Sequence, residues 1–276
     1  MRSTILLLAL CAAVAFAAVV PSKEDVKARV QQRLEKLKQK KEVLAPSLAG
    51  KSNGFAYAVD LISSGSQSTF NCLYNSGNNL VFLRIYNANN NGGVDTTGVN
   101  NVYYAVNAGL GYEVFFTPAT NNVKSGGSQF TEGYNYAIGQ GLRLNRVWLQ
   151  VTSPVNWGTS TSQNINLIKS FISTASSYGI NVGIYTNWYD WQQITGGTSS
   201  ISNIYALWYW NANGVGSSGE TAQNANDFVP FGPFSSAMIK QYGIGESQCS
   251  VSVNKNIYAT STALTANSVD KSSRKA

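Results

Sequence analysis

Acid–base chemistry in this sequence depends on carboxylates, because its 276 residues include no histidine. That excludes Ser-His-Asp and Cys-His catalysis and removes the commonest transition-metal ligand, so we expect no metal site. Two acids lie in stretches that read as strands, Asp60 late in "FAYAVDLI" and Glu113 early in "GYEVFFTPA". A buried carboxylate pair could serve glycoside hydrolysis. The alternative is that Asp60 only accepts hydrogen bonds where the strands end, while Glu113 faces solvent or caps a neighbour.

A third stretch, "RVWLQVTSPVNW" from Arg146 to Trp157, reads as a strand that runs out into a loop. Trp148, Gln150 and Thr152 share one face of this predicted strand. A polar face that ends in a loop is typical of the rim of a binding cleft. Here that face carries an amide and a hydroxyl and no acid.

All six tryptophans lie between residues 148 and 210, with tyrosines and asparagines among them. Sugar rings present apolar C–H faces and a rim of hydroxyls, which aromatic faces and amides can contact. These residues therefore predict a carbohydrate site, although ordinary core is the simpler interpretation for Trp148 or Trp208 taken alone. The candidate sugar-binding side chains are Trp148, Trp157, Tyr185, Trp188, Trp208, Tyr209 and Gln241.

Extended apolar stretches alternate with amphipathic ones between residues 55 and 243, and they predict the framework for these side chains. Residues 97–110 and 162–179 have helical spacing, and the second run ends at Gly179. The alternation predicts parallel βαβ units, and seven or eight strands favour an α/β fold closed as a (β/α) TIM-like barrel over an open doubly wound sheet. No glycine-rich phosphate-binding motif follows a strand, so we expect no cofactor.

The two ends of the chain differ from its centre. Residues 1–17 combine Arg2, an apolar run and a small-x-small cleavage site, which predicts a secretory signal peptide. Residues 18–50 are predicted to hold a basic amphipathic helix over 23–44, either a propeptide or a loosely docked arm, and then a linker. Residues 51–260 read as the folded domain and residues 261–276 as a disordered tail. No later stretch is long and apolar enough to predict a transmembrane segment.

These features predict a protein that is secreted or that lies in the lumen of secretory or lysosomal compartments. Cys11 leaves with the signal peptide, so the mature chain keeps Cys72 and Cys249. In an oxidising compartment two cysteines pair more often than they stay free, which favours a disulfide over two buried thiols.

The formal charge of +7 is concentrated at the ends of the chain. Residues 52–260 hold seven basic and eight acidic side chains, a net charge of −1, so the domain has no electrostatic footprint for nucleic acid. Residues 23–41 could contact an anionic surface weakly, although a solvated charged helix is the simpler interpretation.

Several stretches together resemble the invertebrate, mainly nematode, branch of the family 25 glycoside hydrolases, which are secreted lysozymes that cut peptidoglycan. They follow in family order across about residues 54–259, as "YAVDLISSGSQSTFNCL", "FLRIYNANNNGGVD", "RVWLQVTSPVNW", "NVGIYTNWYDW", "ALWYW", "IKQYG" and "QCSVSVNKNIY". The resemblance implies a modified β/α barrel, a Cys72–Cys249 bridge, and an acidic groove for alternating N-acetylmuramic acid and N-acetylglucosamine.

The same resemblance implies that catalytic acids have been replaced. In active members the strand ends Trp-Leu-Asp-x-Glu, in which the Glu is the general acid and the Asp stabilises the intermediate. These acids fall on Gln150 and Thr152, and a further family Asp falls on Asn254, while Asp60 and Glu113 are retained. Neither Gln nor Thr can protonate a glycosidic oxygen near neutral pH, so we expect muramidase activity to be weak or absent.

Three functions are compatible with these residues. The first is a secreted lysozyme-like protein of innate defence or bacterial digestion that binds peptidoglycan-type glycans and has lost most or all hydrolysis. The second is an active glycosidase with a relocated dyad, Asp60 with Glu113 or Asp190, whose carboxyl oxygens must lie roughly 5–10 Å apart. The third is a structural or partner-binding role in which the basic helix over 23–44 makes the contacts.

Overall fold

The computed structural model describes residues 43–44, 54–259 and 267–269. At its centre is a closed barrel of eight strands, which confirms the TIM-like barrel predicted from the sequence. The strands are β1 (Phe55–Leu61), β2 (Asn78–Asn87), β3 (Gly111–Phe116), β4 (Arg146–Gln150), β5 (Asn181–Thr186), β6 (Leu207–Trp210), β7 (Ile239–Gln248) and β8 (Val251–Ala259).

Seven of the barrel strands run parallel and the last runs against them. Strands β1 to β7 pair in chain order, each parallel to the next. Strand β8 returns antiparallel to β7 and closes the ring antiparallel to β1, where Asn254 pairs with Asp60. This hairpin replaces a helical crossover and is the departure from the regular eightfold barrel. The carboxyl ends of the seven parallel strands meet at one end, which we call the mouth.

Helices follow the first five strands in the described part of the chain. They are α1 (Gln67–Asn75), α2 (Thr96–Ala108), α3 (Gly126–Gly139), α4 (Thr161–Ser177) and α5 (Trp188–Thr195). Each begins at a residue whose side chain accepts a hydrogen bond from a first-turn amide: Ser66, Asp95, Ser125, Ser160 and Asn187. Shorter elements are the 3-10 turns Asn89–Asn91, Pro154–Asn156 and Ser217–Gly219 and the strand Gly93–Val94. Because the caps fix where each loop meets its helix, they shape the mouth.

The barrel strands separate two apolar cores. The inner core includes Phe82, Trp148 and Trp208, and the outer core lies between the strands and the helices. The Trp208 ring lies between Phe82 and Tyr185, with ring centroids 4.2 Å and 4.1 Å away. Large side chains therefore fill the barrel below the mouth, as in a packed core rather than a pore.

The disulfide between Cys72 and Cys249 is present, which confirms that prediction. It joins α1 to the turn between β7 and β8, and its two Cα atoms are 5.8 Å apart. In the chain-entropy description, closing a loop of this length contributes on the order of 4–5 kcal/mol to stability. The bridge therefore holds the closing hairpin against the first helix.

Only the end of the predicted amphipathic helix over 23–44 lies within the described residues. Residues 23–42 lie outside the described residues, as does the predicted signal peptide. Val43–Leu44 form a strand, antiparallel to Ser268–Val269, so the helix prediction is wrong for these two residues. Backbone pairing with another part of the chain determines their conformation, and the local helical spacing could not show this.

The predicted disordered tail is wrong for residues 267–269. Ser268–Val269 also pair with Leu142–Arg143, which completes a small three-stranded sheet. Asn267 is buried, and its Oδ1 accepts the backbone N–H of Asn145 at 3.0 Å. The polar composition of the tail conceals these contacts because they are made across the chain. The predicted segment boundaries stay predictions.

Candidate functional site

Two cavities open at the mouth and share a wall formed by Thr117 and Gln150. The first cavity, about 390 Å³, lies between the loops after β3 and β4 and is lined in part by Asn121, Thr152, Asn156 and Trp157. The second cavity, about 370 Å³, lies against the inner core and is lined in part by Asp60, Arg84, Phe115, Tyr185 and Asn254. We call the two cavities together the groove.

Asp60 is held in the wall of the second cavity by three side-chain amides. Its Oδ1 accepts Gln241 Nε2–H and Asn256 Nδ2–H, both at 2.8 Å, and its Oδ2 accepts Asn254 Nδ2–H at 2.7 Å. Asn254 and Asn256 lie two residues apart on β8 and so share its inner face, opposite Asp60 on β1. We call Gln241, Asn254 and Asn256 the amide ring.

Each amide of the ring is fixed in orientation by a second donor. An amide whose oxygen already accepts a hydrogen bond must turn its nitrogen toward Asp60. The oxygens of Gln241, Asn256 and Asn254 accept, in that order, from the Tyr185 hydroxyl at 2.8 Å, Trp208 Nε1 at 2.8 Å and the Gly245 amide at 2.9 Å. The ring therefore presents donors to Asp60.

Burial raises the pKa of the Asp60 carboxyl to about 6, and the three amide hydrogen bonds oppose this increase without cancelling it. Asp60 is therefore a carboxylate at neutral pH and takes up a proton in mildly acidic solution. Three dipoles hold it, and none of its hydrogen-bond or ion-pair partners in residues 54–259 is a cation.

Gln150 and Thr152, the two positions at which the resemblance predicts acids in active members, bond to each other. Thr117 Oγ1–H donates to Gln150 Oε1 at 2.6 Å, and Gln150 Nε2–H donates to Thr152 Oγ1 at 2.9 Å. This neutral chain forms the wall between the two cavities. It can donate and accept hydrogen bonds, but it holds no group that could transfer a proton to a leaving oxygen near neutral pH.

Glu113 does not lie in the groove, contrary to the expectation that it belongs to a catalytic pair. It is the third residue of β3 and is 1% exposed in the lower barrel. Arg146 forms a two-armed ion pair with it, with Nε 3.1 Å from Glu113 Oε2, and Trp148 Nε1–H donates to the same oxygen at 3.0 Å. These contacts occupy the carboxylate and count against a catalytic role.

Asp190, the other candidate partner for Asp60, is buried at the third position of α5. Its carboxylate accepts Trp210 Nε1–H at 2.8 Å and the backbone N–H of Ser153. Burial raises its pKa to about 6, and these two hydrogen bonds oppose the increase. Asp190 lines neither cavity.

Two predicted sugar-binding aromatics do line the groove. Trp157 lines the first cavity, and its Nε1–H donates to the Thr152 carbonyl at 3.0 Å, which fixes the ring beside the neutral chain. Tyr185 lines the second cavity and bonds to the amide ring through its hydroxyl. Gln241, the predicted amide, is 1% exposed and acts through Asp60 rather than by lining a cavity.

The other predicted sugar-binding aromatics lie elsewhere, and these expectations need correction. Trp148 and Trp208 are fully buried in the inner core, so their faces cannot reach a sugar. Tyr209 points to the outer core and packs on Phe228 at 5.4 Å between ring centroids. Trp188 is 59% exposed at the start of α5 and lines neither cavity.

The sequence interpretation missed Thr117, Arg84 and Asn256. Thr117 directly follows β3 and Arg84 lies in the second half of β2, near the strand ends where a barrel places its site residues, and that signal could have identified them. Asn256 needed the antiparallel register of β8 against β1, which is set by distant pairing. In residues 54–259, no group of three or more acidic or cysteine side chains lies close enough to hold a metal ion.

Comparison with known proteins places the chain among lysozyme-like sequences. The family model described as Lysozyme-like protein 1 matches residues 51–242. Lysozyme-like protein 1 of Caenorhabditis elegans is 42% identical over 214 residues, which cover 78% of this chain and 72% of the relative. Probable GH family 25 lysozyme 4 of Dictyostelium discoideum is 33% identical over 215 residues, covering 77% and 94%.

Solved structures share the barrel at low sequence identity. A muramidase from Acremonium alcalophilum superposes with a TM-score of 0.56 at 16% identity, covering 74% of this chain and 93% of that one. A lysozyme from Streptomyces coelicolor gives 0.55 at 20% identity, covering 75% and 93%. These similarities support the fold.

Proposed function

This chain belongs to the lysozyme-like proteins of glycoside hydrolase family 25, and we propose that it binds peptidoglycan-type glycans in its groove while hydrolysing them weakly or not at all. The observation that carries the proposal is the chain of hydrogen bonds from Thr117 through Gln150 to Thr152. It occupies the strand end where active relatives are expected to hold two acids.

The chemistry of the groove supports binding. Its two cavities are large enough for sugar rings, and Trp157 and Tyr185 supply aromatic surface beside amides and hydroxyls. Replacing acids by neutral polar groups lowers the desolvation cost of taking up an uncharged sugar, while hydrogen bonding is retained. The polar groups of the wall between the cavities already bond to one another, so they cost little free energy when no ligand is bound.

The same groups argue against efficient hydrolysis. A positioned general acid contributes roughly 10²–10⁴-fold to the rate, and stabilisation of the developing charge contributes further. Asp60 alone could supply a carboxylate, but its three amide contacts hold it as an acceptor of hydrogen bonds. We expect the residual rate to be lower than that of an active relative by at least this factor.

We further propose that the protein is secreted and acts on bacteria in defence or digestion. The Cys72–Cys249 disulfide fits an oxidising compartment, and the signal-like residues 1–17 agree with export. None of the described helices has the length and apolar character needed to span a bilayer. Expression of the full chain in animal cells tests export: the protein should collect in the medium without its first residues.

A pelleting assay on purified, insoluble peptidoglycan tests binding, with reducing ends counted in the same tubes. The proposal predicts that the protein sediments with the polymer and releases few or no reducing ends. A protein that stays in the supernatant at every concentration contradicts the proposed binding, and release at the rate of an active muramidase contradicts the proposed loss of catalysis.

An active glycosidase with Asp60 and Asp190 is the second candidate. Burial raises the pKa of both carboxyls to about 6, which suits proton donation in mildly acidic solution. Under this alternative, Asp60→Asn and Asp190→Asn each abolish release of reducing ends. Release that is equal in the wild type and in both variants contradicts this second candidate.

A further inference from the structure

We propose that Arg84 makes the second cavity selective for sugars that carry a carboxylate. The inference rests on the proposed function, because it specifies which glycans the groove prefers. Among the residues that the structure describes, Arg84 is the only Lys or Arg that lines either cavity of the groove. Its side chain is 20% exposed there, so its charge can reach a ligand.

The barrel register places Arg84 above Asp60. Asp60 pairs with Phe82 across β1 and β2, and Arg84 follows Phe82 by two residues on the inner face of β2. Arg84 is thus one side-chain layer nearer the mouth than Asp60 and its amide ring. A ligand entering the second cavity meets the cation before the buried carboxylate.

The guanidinium is anchored at one edge. Arg84 Nε–H donates to Asp95 Oδ2 at 2.8 Å, and Asp95 Oδ1 accepts the Thr97 amide at 3.2 Å as the N-cap of α2. A Cβ on Gly98 would lie 1.6 Å from the Arg84 carbonyl oxygen, so only glycine lets α2 start this close to β2. The anchor uses Nε, and the two terminal nitrogens make no other ion pair in the part of the chain that the structure describes.

Among the described residues that line the second cavity, Arg84 supplies the charged hydrogen-bond donor. Both Asp60 oxygens already accept amide hydrogens, and Gln150 Oε1 already accepts from Thr117. A guanidinium and a carboxylate can form two parallel charge-assisted hydrogen bonds, the strongest pairing that these donors allow. Acids at Gln150 and Asn254 would repel a ligand carboxylate, and the neutral residues there do not.

Two kinds of sugar supply such a carboxylate: muramic acid carries it on a lactyl ether, and uronic acids carry it on the ring. Binding is measured by calorimetry with three tetrasaccharides of equal length. The probes are N-acetylglucosamine alternating with N-acetylmuramic acid, N-acetylglucosamine alternating with glucuronic acid, and uncharged chitotetraose.

The wild type should bind at least one acidic tetrasaccharide on the order of tenfold more tightly than chitotetraose, as expected for one charge-assisted pair. Preference for the muramyl probe alone identifies the lactyl carboxylate, and preference for both identifies a carboxylate in either position. Arg84→Gln should remove the preference while chitotetraose still binds. Arg84→Lys should retain part of it, because the charge remains without the planar fork.

Asp95→Asn is the matched variant that is expected to strengthen the preference for acidic sugars. Asn keeps the cap of α2 and removes the charge that competes for Arg84, so the acidic preference should increase severalfold. This variant tests the proposal even if Arg84→Gln does not fold. Three results would overturn the inference while leaving glycan binding intact. The first is chitotetraose that binds as tightly as both acidic probes. The others are an acidic preference that is unchanged in Arg84→Gln and one that is lowered in Asp95→Asn. Failure of all three probes to bind contradicts the proposed function itself.

Discussion

The lower barrel and the mouth each bury a carboxylate, but the two carboxylates have different kinds of partner. Below, Glu113 is paired with the buried guanidinium of Arg146 and receives the Trp148 indole N–H. At the mouth, Asp60 is surrounded by three oriented amides. Both carboxylates are nearly inaccessible to solvent, with exposures of 1% and 4%. The two regions thus share burial and differ in the charge of the partners.

The difference separates a structural acid from one that can still respond to a ligand. A buried ion pair is mutually dependent, because removing one member leaves the other as an uncompensated charge. Dipoles satisfy a carboxylate without neutralising it, so burial still raises the pKa of Asp60 to about 6. We therefore assign Glu113 to the stability of the barrel and Asp60 to the groove.

The largest change is expected from introducing acids at the mouth. Gln150→Asp combined with Thr152→Glu breaks the neutral chain and supplies a general acid in the groove. Release of reducing ends from peptidoglycan should rise by roughly 10²–10⁴-fold over the wild type. Gln150→Asn with Thr152→Gln is the matched control without acids. A well-folded acidic variant that is no faster than this control would mean that the groove has diverged beyond its acids.

In the lower barrel, Glu113→Gln should strongly destabilise the protein. It leaves Arg146 buried without a counter-charge, a loss expected to lower the free energy of unfolding by about 3–5 kcal/mol in chemical denaturation. Glu132→Gln is the control, because its ion pair with Lys124 is partly exposed and should contribute less than about 1 kcal/mol. Equal small effects in both variants would contradict the structural role of Glu113.

The pH dependence of stability sharpens the role of Asp60. Because burial raises its pKa from 3.8 to about 6, the folded state binds the proton more tightly than the unfolded state. Its contribution is fully present below about pH 4 and is lost as the pH rises through 6. The free energy of unfolding of the wild type relative to Asp60→Asn should therefore fall by roughly 2 kcal/mol between pH 4 and pH 7. A difference that stays constant or rises would show that the amide ring outweighs burial.

A smaller effect is expected at the aromatic wall of the first cavity. Trp157→Ala removes ring surface beside Thr152 and should weaken binding to peptidoglycan fragments by about 1 kcal/mol in calorimetry. Trp188→Ala makes the comparison, because Trp188 is exposed outside both cavities. A larger loss for Trp188→Ala would move the binding surface away from the groove.

The sequence predicted the barrel because strand and helix patterns are local. It also identified Asp60 correctly as a residue at the mouth, since Asp60 comes late in a parallel strand. The depth of a side chain within the barrel was harder to predict from the sequence. Alternation places Trp148 and Trp208 on the inner face, but only the stagger of the strands decides whether they reach the groove. Glu113 comes early in β3, and this position alone could have predicted the lower barrel.

The partners of Asp60 could not be predicted in the same way. Gln241 and Asn256 bond to Asp60 although they lie 181 and 196 positions away from it in the sequence. The closing strand β8 runs antiparallel, so its register depends on the turn after β7 and on the disulfide at Cys249. These constraints arise only when the ring closes.

Release of reducing ends from purified peptidoglycan, with the protein in excess and across pH 4–8, tests the central claim most directly. The account predicts that the protein sediments with the polymer at every pH where it is folded and that release stays at least roughly 10²-fold below that of an active muramidase. Release at the rate of an active muramidase that is lost in Asp60→Asn would contradict it, because efficient catalysis would then be present without acids at positions 150 and 152.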